Sequence, residues 1–141
     1  MKILCPTDGS PHSQAALSAL LDRRSWFGEA TEFTLLYAHP PLPYKRAVEW
    51  AGKEAVHGYY EEESEAALAP ARRLLDDGGI AYAVEKRVGD PAREIVACAM
   101  AGGFALVVMG THGHTALGNL VMGSVATKVL AARKVPVLFM V

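Results

Sequence analysis

The sequence predicts an α/β fold in which a five-stranded parallel sheet carries helices on both faces. Apolar runs and helix-like stretches alternate along the whole chain of 141 residues, which is typical of parallel strands joined by helical crossovers. Apolar residues make up 51% of the chain and charged residues 21%, enough for a core that needs neither disulfides nor a metal. We therefore expect residues 1–141 to form a single domain.

Five apolar segments are predicted to be the strands of this sheet. They are Lys2 to Pro6, Glu32 to Ala38, Ala81 to Val88, Leu106 to Met109 and Val137 to Val141. A helix-like stretch separates each strand from the next, as parallel strands require.

The helices between the first three strands are predicted from capping and breaking residues. Ser10 can cap the first helix, and Pro11 fits its first position because the N–H that proline lacks would be unpaired there. The second predicted helix covers Tyr44 to Asp77 and stops at Gly78-Gly79. We expect it to be interrupted, because two glycines weaken its first half and Pro70 disfavours a helical residue before it.

The remaining helices are predicted from similar signals. Asp90 and Pro91 open the third helix, and the fourth spans Ser124 to Ala132. The acidic side chains at positions 61, 62, 63 and 65 are predicted to form a solvated face of the second helix.

Charge and composition exclude several classes of function. Lys and Arg number 14 against 15 Asp and Glu, so the net charge of -1 provides no basic field for nucleic acid or an anionic membrane. No apolar span is long enough to cross a bilayer, and the N-terminus lacks a signal peptide's apolar region, so a cytoplasmic location is expected. Cys5 and Cys98 have neither CxxC nor zinc-ligand spacing and are expected to be buried thiols.

Two loops leave the carboxyl ends of predicted strands, where open parallel sheets place their ligands. The first is Pro6-Thr7-Asp8-Gly9-Ser10, and the second has the pattern Gly110-x2-Gly113-x9-Gly123-Ser124. Glycines let backbone N–H groups approach an anion, and the free N–H groups at the start of a helix attract negative charge. The second loop therefore predicts a phosphate site.

This pattern differs from two common phosphate motifs. Ser124 and Val125 stand where a Walker A loop needs Lys and then Ser or Thr, and the dinucleotide pattern GxGxxG is absent. Glycines that only shape turns and cap helices would give the same spacing, and on the spacing alone that alternative stays open.

Five segments, spread in order over the whole chain, resemble one known family. They are Ile3-Leu4-Cys5-Pro6-Thr7-Asp8-Gly9-Ser10, Gly89-Asp90-Pro91-Ala92, Val107-Val108-Met109-Gly110-Thr111-His112-Gly113, Gly123-Ser124-Val125 and Val135-Pro136-Val137-Leu138. The chain is similar in all of them to the universal stress protein family. In that family Gly-x2-Gly-x9-Gly-Ser marks the members that bind ATP, so the resemblance is to the ATP-binding subgroup.

The resemblance implies a sheet order of 3-2-1-4-5 with ATP between strands one and four. The two loops support this order, because a site formed by both requires strands one and four to be neighbours. By resemblance, Ala38 would present its backbone to the adenine, and the carboxylate of Asp8 would accept from the ribose hydroxyls. Because Asp8 would repel the triphosphate, a divalent ion, Mg²⁺ or Mn²⁺, is expected with the nucleotide.

The predicted nucleotide site contains residues from both loops and from the end of strand two. They are Thr7, Asp8, Ala38, Gly110, Thr111, His112, Gly113, Gly123 and Ser124. By resemblance, the three glycines and Ser124 would cradle the phosphates. His112 and His114 lie in or beside the glycine loop and would be able to donate to phosphate oxygens; that they are simply exposed is the alternative. No catalytic residue and no metal site formed by side chains is predicted.

The predicted function is that of an ATP-binding regulatory protein. The alternative is an enzyme, either a slow ATP hydrolase or a nucleotidyl transferase, but neither glycine loop offers Lys, Arg or Glu for such chemistry. Lys128, in the last helix, is predicted to face solvent. A structural dimer that binds nothing is a third alternative.

The C-terminal strand predicts a homodimer. In the order 3-2-1-4-5 it lies at an edge of the sheet, and Val137 to Val141 are continuously apolar. Such an edge favours pairing with a second copy, since a two-fold axis lets each strand satisfy the other's open backbone groups.

Overall fold

Five parallel strands form one sheet in the computed structural model, which describes residues 1–43, 49–114, 119 and 121–141. The strands are β1 (Lys2–Pro6), β2 (Glu32–His39), β3 (Tyr82–Val88), β4 (Leu106–Gly110) and β5 (Val137–Met140). Their order across the sheet is β3-β2-β1-β4-β5, which confirms the predicted order. Each strand begins and ends within one residue of its predicted bounds.

β1 lies in the middle of the sheet, and its pairing with each of its two neighbouring strands ends at a different residue. It pairs with β2 along its whole length, as far as Pro6 with Leu36. In the described chain its ladder with β4 stops earlier, at Leu4 with Val107. β1 and β4 therefore separate towards their carboxyl ends and leave a crevice where the strand order reverses.

Four long α-helices of the described chain cover the two faces of the sheet. They are α1 (Pro11–Leu21), α2 (Lys53–Asp77), α3 (Pro91–Ala101) and α4 (Ser124–Ala132), and a 3₁₀ turn (Arg24–Phe27) follows α1. α1 and α2 pack on one face and α3 and α4 on the other. The Ser10 hydroxyl accepts a hydrogen bond from the backbone N–H of Ser13 at 3.2 Å, which confirms the predicted cap of α1.

α2 differs from its prediction at one of the expected interruptions. Gly52, with φ +83°, interrupts the helix between residues 49–51 and α2, which confirms the interruption predicted for this half. Pro70, by contrast, lies inside an unbroken helix. The buried side chains on either side, Leu68 and Ala71, hold this part of α2 on the sheet, so packing outweighs the loss of one backbone hydrogen bond. Residues 44–48, part of the same predicted helix, lie outside the described residues.

The core has two layers because side chains of the central strand alternate between the faces of the sheet. Ile3 and Cys5 face α1 and α2, and Leu4 faces α3 and α4. Cys5 and Cys98 are both buried free thiols, as predicted, and burial raises the pKa of Cys5 to about 12. Within the described ranges, no helix has the length and apolar character needed to cross a membrane.

Candidate functional site

A cleft of about 730 Å³ lies at the carboxyl ends of the strands, where β1 and β4 separate. Its volume is in the range of pockets that hold small molecules and cofactors. All nine residues of the predicted site line it: Thr7, Asp8, Ala38, Gly110, Thr111, His112, Gly113, Gly123 and Ser124. The fold thus brings together residues that are up to 117 positions apart in the chain, from Thr7 to Ser124.

The β1–α1 loop, residues 7–10, forms one wall of the cleft. Its own hydrogen bonds hold it: Thr7 Oγ1 lies 3.0 Å from Ser13 Oγ, and Ser10 N donates to Asp8 Oδ1 at 2.9 Å. Gly9 has φ +78°, and a Cβ there would lie 3.0 Å from the backbone of Ala67 in α2. Glycine is therefore needed both for the turn and for the close approach of α2.

The end of β4 and the described residues of the β4–α4 loop, 111–114, 119 and 121–123, lie on the opposite side, and their glycines pack closely against the protein. A Cβ at Gly110 would lie 3.3 Å from the carbonyl oxygen of His12 in α1. At Gly123 it would lie 3.1 Å from the carbonyl oxygen of Thr111, to which Gly123 N donates at 2.6 Å. At Gly113 it would overlap the Asp8 carboxylate. These glycines, which the sequence assigned to phosphate approach, also allow close packing between the loop and its neighbours.

Asp8 connects the two walls. His114 N donates to Asp8 Oδ2 at 3.1 Å, and His114 Nε2 donates to the Asp8 carbonyl oxygen at 2.7 Å. Burial raises the pKa of the Asp8 carboxyl, but hydrogen bonds from Ser10 and Ser13 and the nearby His114 outweigh it, so the pKa lies below its usual value. Asp8 is therefore a carboxylate at neutral pH. The sequence suggested His114 only as a phosphate donor, and nothing in its spacing indicated this contact.

The backbone of Ala38 faces the cleft from the end of β2. Just past the end of β1, Thr7 N donates to Leu36 O at 2.9 Å, whereas Gly89 N, on the β3 side, donates to His39 O. Backbone groups of successive residues in a strand point to alternate sides. The N–H and C=O of Ala38 therefore point to the side of β1, beyond the place where β1 ends, and are available to a ligand.

The N-terminus of α4 also faces the cleft. Gly123 is its N-cap residue and supplies no side-chain cap, and Ser124 and Val125 of its first turn line the cleft. The first N–H groups of an α-helix lack partners inside the helix. Together with the positive end of the helix dipole, they form a site that suits an anion.

Three charged residues at the cleft were not included in the predicted site. Glu63 of α2 is exposed, as predicted for the acidic run, and it also lines the cleft. Asp90 lines it from the start of α3, and Lys128, predicted to face solvent, lines it while its side chain remains 63% exposed. Lys128 Nζ lies 3.8 Å from Asp90 Oδ1. Lys128 follows Ser124 by four residues on the same helix, so helical spacing was the signal that could have identified it.

An open, doubly wound sheet whose ligand cleft lies at the reversal of strand order defines a class of α/β proteins that bind small molecules. Comparison with known proteins identifies the family within this class. The sequence pattern of the universal stress protein family matches residues 1–140, and the chain belongs to that family. Universal stress protein MJ0531 of Methanocaldococcus jannaschii is 32% identical over 138 residues, which cover 97% of this chain and 79% of that protein.

Solved structures share the same fold. The structure of MJ0577, also from Methanocaldococcus jannaschii, has a TM-score of 0.76 and 29% identity, and covers 99% of this chain and 94% of its own. An Arabidopsis thaliana protein of the family, solved with AMP bound, has a TM-score of 0.67 and 14% identity, covering 99% and 90%. A universal stress protein in complex with cAMP has a TM-score of 0.62 and 20% identity, covering 100% and 97%.

Proposed function

We propose that this universal stress protein binds ATP in the cleft, with Mg²⁺ or Mn²⁺, and acts as a nucleotide-dependent regulatory module. The observation that carries the proposal is that the backbone edge of Ala38 and the start of α4 face the same cleft. A purine needs a hydrogen-bonding edge and a phosphate needs N–H donors. The AMP and cAMP complexes of structural neighbours, which share adenine, ribose and phosphate, agree with this ligand class.

Each part of the nucleotide has a proposed partner. The adenine lies against Ala38, and the ribose lies near Thr7 and Asp8. Besides the bonds that it accepts from Ser10, Ser13 and His114, the Asp8 carboxylate has lone-pair capacity left to accept from a ribose hydroxyl. The phosphates lie against the β4–α4 loop and the start of α4. Their proposed contacts are Gly110, Thr111, His112, Gly113, Gly123 and Ser124.

The charges around the cleft support the need for a divalent ion. Asp8, Glu63 and Asp90 line it against the single lysine Lys128 among the described residues. A triphosphate would add further negative charge, and a bound Mg²⁺ or Mn²⁺ supplies charge neutralisation. In the part of the chain that the structure describes, no group of three or more His, Cys, Asp or Glu side chains can hold a metal. The ion would therefore be coordinated mainly by phosphate oxygens.

We propose that ATP is held and not rapidly hydrolysed. The described residues of both loops include no Lys, Arg or Glu, and Lys128 at the cleft is already beside Asp90. Phosphoryl transfer relies on such groups to position the nucleophile and stabilise charge. We expect phosphate release far below the about 1–100 per second of kinases. Release in that range from pure protein would favour the hydrolase, and His112 would be the first residue to replace.

Titration calorimetry tests the proposed ligand. We expect ATP to bind in the presence of Mg²⁺ and to bind much more weakly after chelation by EDTA. Adenosine, which has no phosphate, should bind equally well with and without the chelator. The absence of any heat with ATP and Mg²⁺ at millimolar concentration, from protein that is folded by circular dichroism, would contradict the proposal.

We further propose a homodimer through β5. This edge strand consists of Val137, Leu138, Phe139 and Met140, and the following Val141 is fully exposed. The strand carries no charge that would oppose pairing with another strand. Light scattering at micromolar concentration should give twice the chain mass of 15.1 kDa. Deletion of residues 138–141 should give a monomer or an aggregate, and a full-length monomer would refute the dimer.

A further inference from the structure

Asp8 bonds to both loops of the cleft at once. Within its own loop, Oδ1 accepts from Ser10 N at 2.9 Å. Across the cleft, Oδ2 accepts from His114 N at 3.1 Å, and the Asp8 carbonyl oxygen accepts from His114 Nε2 at 2.7 Å. Two of these bonds join residues 106 positions apart, so one aspartate connects the first loop of the chain to the glycine loop.

The absence of a side chain at Gly113 makes room for this link. A Cβ on Gly113 would overlap Asp8 Oδ2, so the carboxylate reaches the β4–α4 loop only because position 113 has no side chain. The φ angle of Gly113 is not positive, so alanine could adopt its backbone conformation. A side chain at position 113 would therefore have to displace the carboxylate.

The Asp8 carboxylate is well suited to hold backbone groups in place. Hydrogen bonds to an ionised acceptor are about twice as strong as bonds between neutral groups. Asp8 is also half-buried, where an ion without such partners would be costly. The two N–H donors, from Ser10 and His114, therefore stabilise the charge while the charge fixes the two loops.

We infer that Asp8 is a positioning residue whose carboxylate links positions 113 and 114 to the β1–α1 loop and thereby fixes the loop proposed to face the phosphates. The link between the loops is a property of the protein without ligand. Its effect on phosphate binding rests on the proposed function. The role is additional to any contact of Asp8 with the ribose.

The two roles of Asp8 predict different changes in binding. Loss of a ribose contact weakens ATP and adenosine by the same factor, because both contain the ribose. Loss of the link between the loops weakens ATP more than adenosine, because only ATP uses the β4–α4 loop. Removing one negative charge would by itself favour ATP over adenosine. A lower ratio of ATP affinity to adenosine affinity therefore cannot come from the charge.

The first experiment uses the protein without nucleotide. Hydrogen exchange is measured for Asp8→Ala and for the control Glu63→Ala, which removes a carboxylate that also lines the cleft but belongs to α2. We expect the amides of Ser10 and His114 to exchange about tenfold faster or more in Asp8→Ala and to be unchanged in the control. Unchanged exchange at His114 in Asp8→Ala would overturn the inference, whether or not the protein binds nucleotides.

The second experiment measures the affinities for ATP and adenosine by calorimetry in Asp8→Ala, Gly113→Ala and Glu63→Ala. Gly113→Ala displaces the carboxylate and leaves Asp8 itself in place. We expect the ratio of ATP to adenosine affinity to fall about tenfold in the first two variants and to stay equal or rise in the third. An equal loss for both ligands in Asp8→Ala, with Gly113→Ala unaffected, would leave only the ribose contact and refute the positioning role. If wild type binds neither ligand, the proposed function fails and the exchange experiment alone decides.

Discussion

The two loops around the cleft are held by contacts of very different range along the chain. Within the β1–α1 loop and the first turn of α1, the hydrogen bonds among Thr7, Asp8, Ser10 and Ser13 join residues two to six positions apart. In the described part of the β4–α4 loop, His114 bonds across 106 positions, and Gly110 and Gly113 pack against residues of the first loop and α1. The first loop can form together with α1. The described residues of the β4–α4 loop reach their positions only when the sheet and α1 have assembled.

This difference suggests which property each loop controls. Bonds that close the β1–α1 loop also cap α1 and lie over the core, so damage there should reduce the stability of the whole protein. The β4–α4 loop is positioned by its contacts with distant residues, so substitutions there should reduce ligand affinity more than stability. Four substitutions test this division, and the expected effects decrease in the order given.

Gly123→Val should give the largest effect, and it should appear in affinity. The branched side chain would meet the Thr111 carbonyl oxygen and push the start of α4 away from the loop. Such overpacking costs about 1–3 kcal/mol, and ATP affinity should fall by about tenfold to a hundredfold. Calorimetry gives the affinity, and thermal unfolding shows how much stability is lost.

Gly58→Ala is the control for this substitution. Gly58 lies inside α2 with nothing within 4 Å of its Cβ position, so alanine should stabilise the protein slightly without changing affinity. If Gly123→Val binds ATP as tightly as wild type, the second loop does not control affinity.

Ser10→Ala should give the next largest effect, in stability. The Ser10 side chain is almost fully buried and caps α1 through Ser13 N. Loss of such a cap costs about 1–2 kcal/mol in the free energy of unfolding, which urea denaturation measures. Affinity for ATP should change less than in Gly123→Val. A large loss of affinity with unchanged stability would break the division between the loops.

The pH dependence of stability should show a smaller effect, centred on Asp8. Its pKa in the folded protein lies below the ordinary value of about 3.9, so the folded state holds the carboxylate more strongly than the unfolded chain does. This stabilisation is present above the unfolded pKa and is lost as pH falls through the folded pKa. The free energy of unfolding of wild type should exceed that of Asp8→Asn by a constant amount above about pH 5 and converge with it in acid. A gap that widens in acid would contradict this sign.

Ser124→Ala should give the smallest effect and sharpens the comparison with Ser10. Both serines lie at the start of a helix, but Ser124 is exposed and is not the N-cap residue of α4. We expect a loss of about 0.5–1 kcal/mol in ATP binding and no measurable change in stability. A loss of stability equal to that of Ser10→Ala would show that the two helix starts are equivalent.

The strands of the sheet and the residues that line the cleft could be predicted because local patterns mark them. The strand order was implied by the resemblance to the family and supported by the requirement that the two loops meet, and the cap of α1 followed from Ser10 and Pro11. Ala38 was included by resemblance, and its backbone faces the cleft because β1 ends before it. These features are encoded by residue types at fixed spacing.

The features that were missed depend on packing between distant parts of the chain. The bond between Asp8 and His114 has no signal in the sequence, since the two residues are brought together only by the sheet order. Pro70 remains helical because α2 is held against the core on both sides of it. Glu63 reaches the cleft although its neighbours Glu61 and Glu65 pair with Lys86. Long-range contacts decided all three outcomes.

The central position of β1 in the sheet has a consequence for synthesis on the ribosome. β1 is made before the other strands of the sheet, and β4, its partner on one side, begins roughly 100 residues later, so at about 5–20 residues per second β1 has no β4 beside it for about 5–20 s. During this interval one edge of β1 has no strand of its own chain beside it, and Asp8 has no His114. A nascent chain in which β4 has not yet been made lacks the cleft altogether. A ligand can therefore stabilise only chains in which the segment from β1 to the start of α4 has been made, and it offers no protection to a shorter emerging chain.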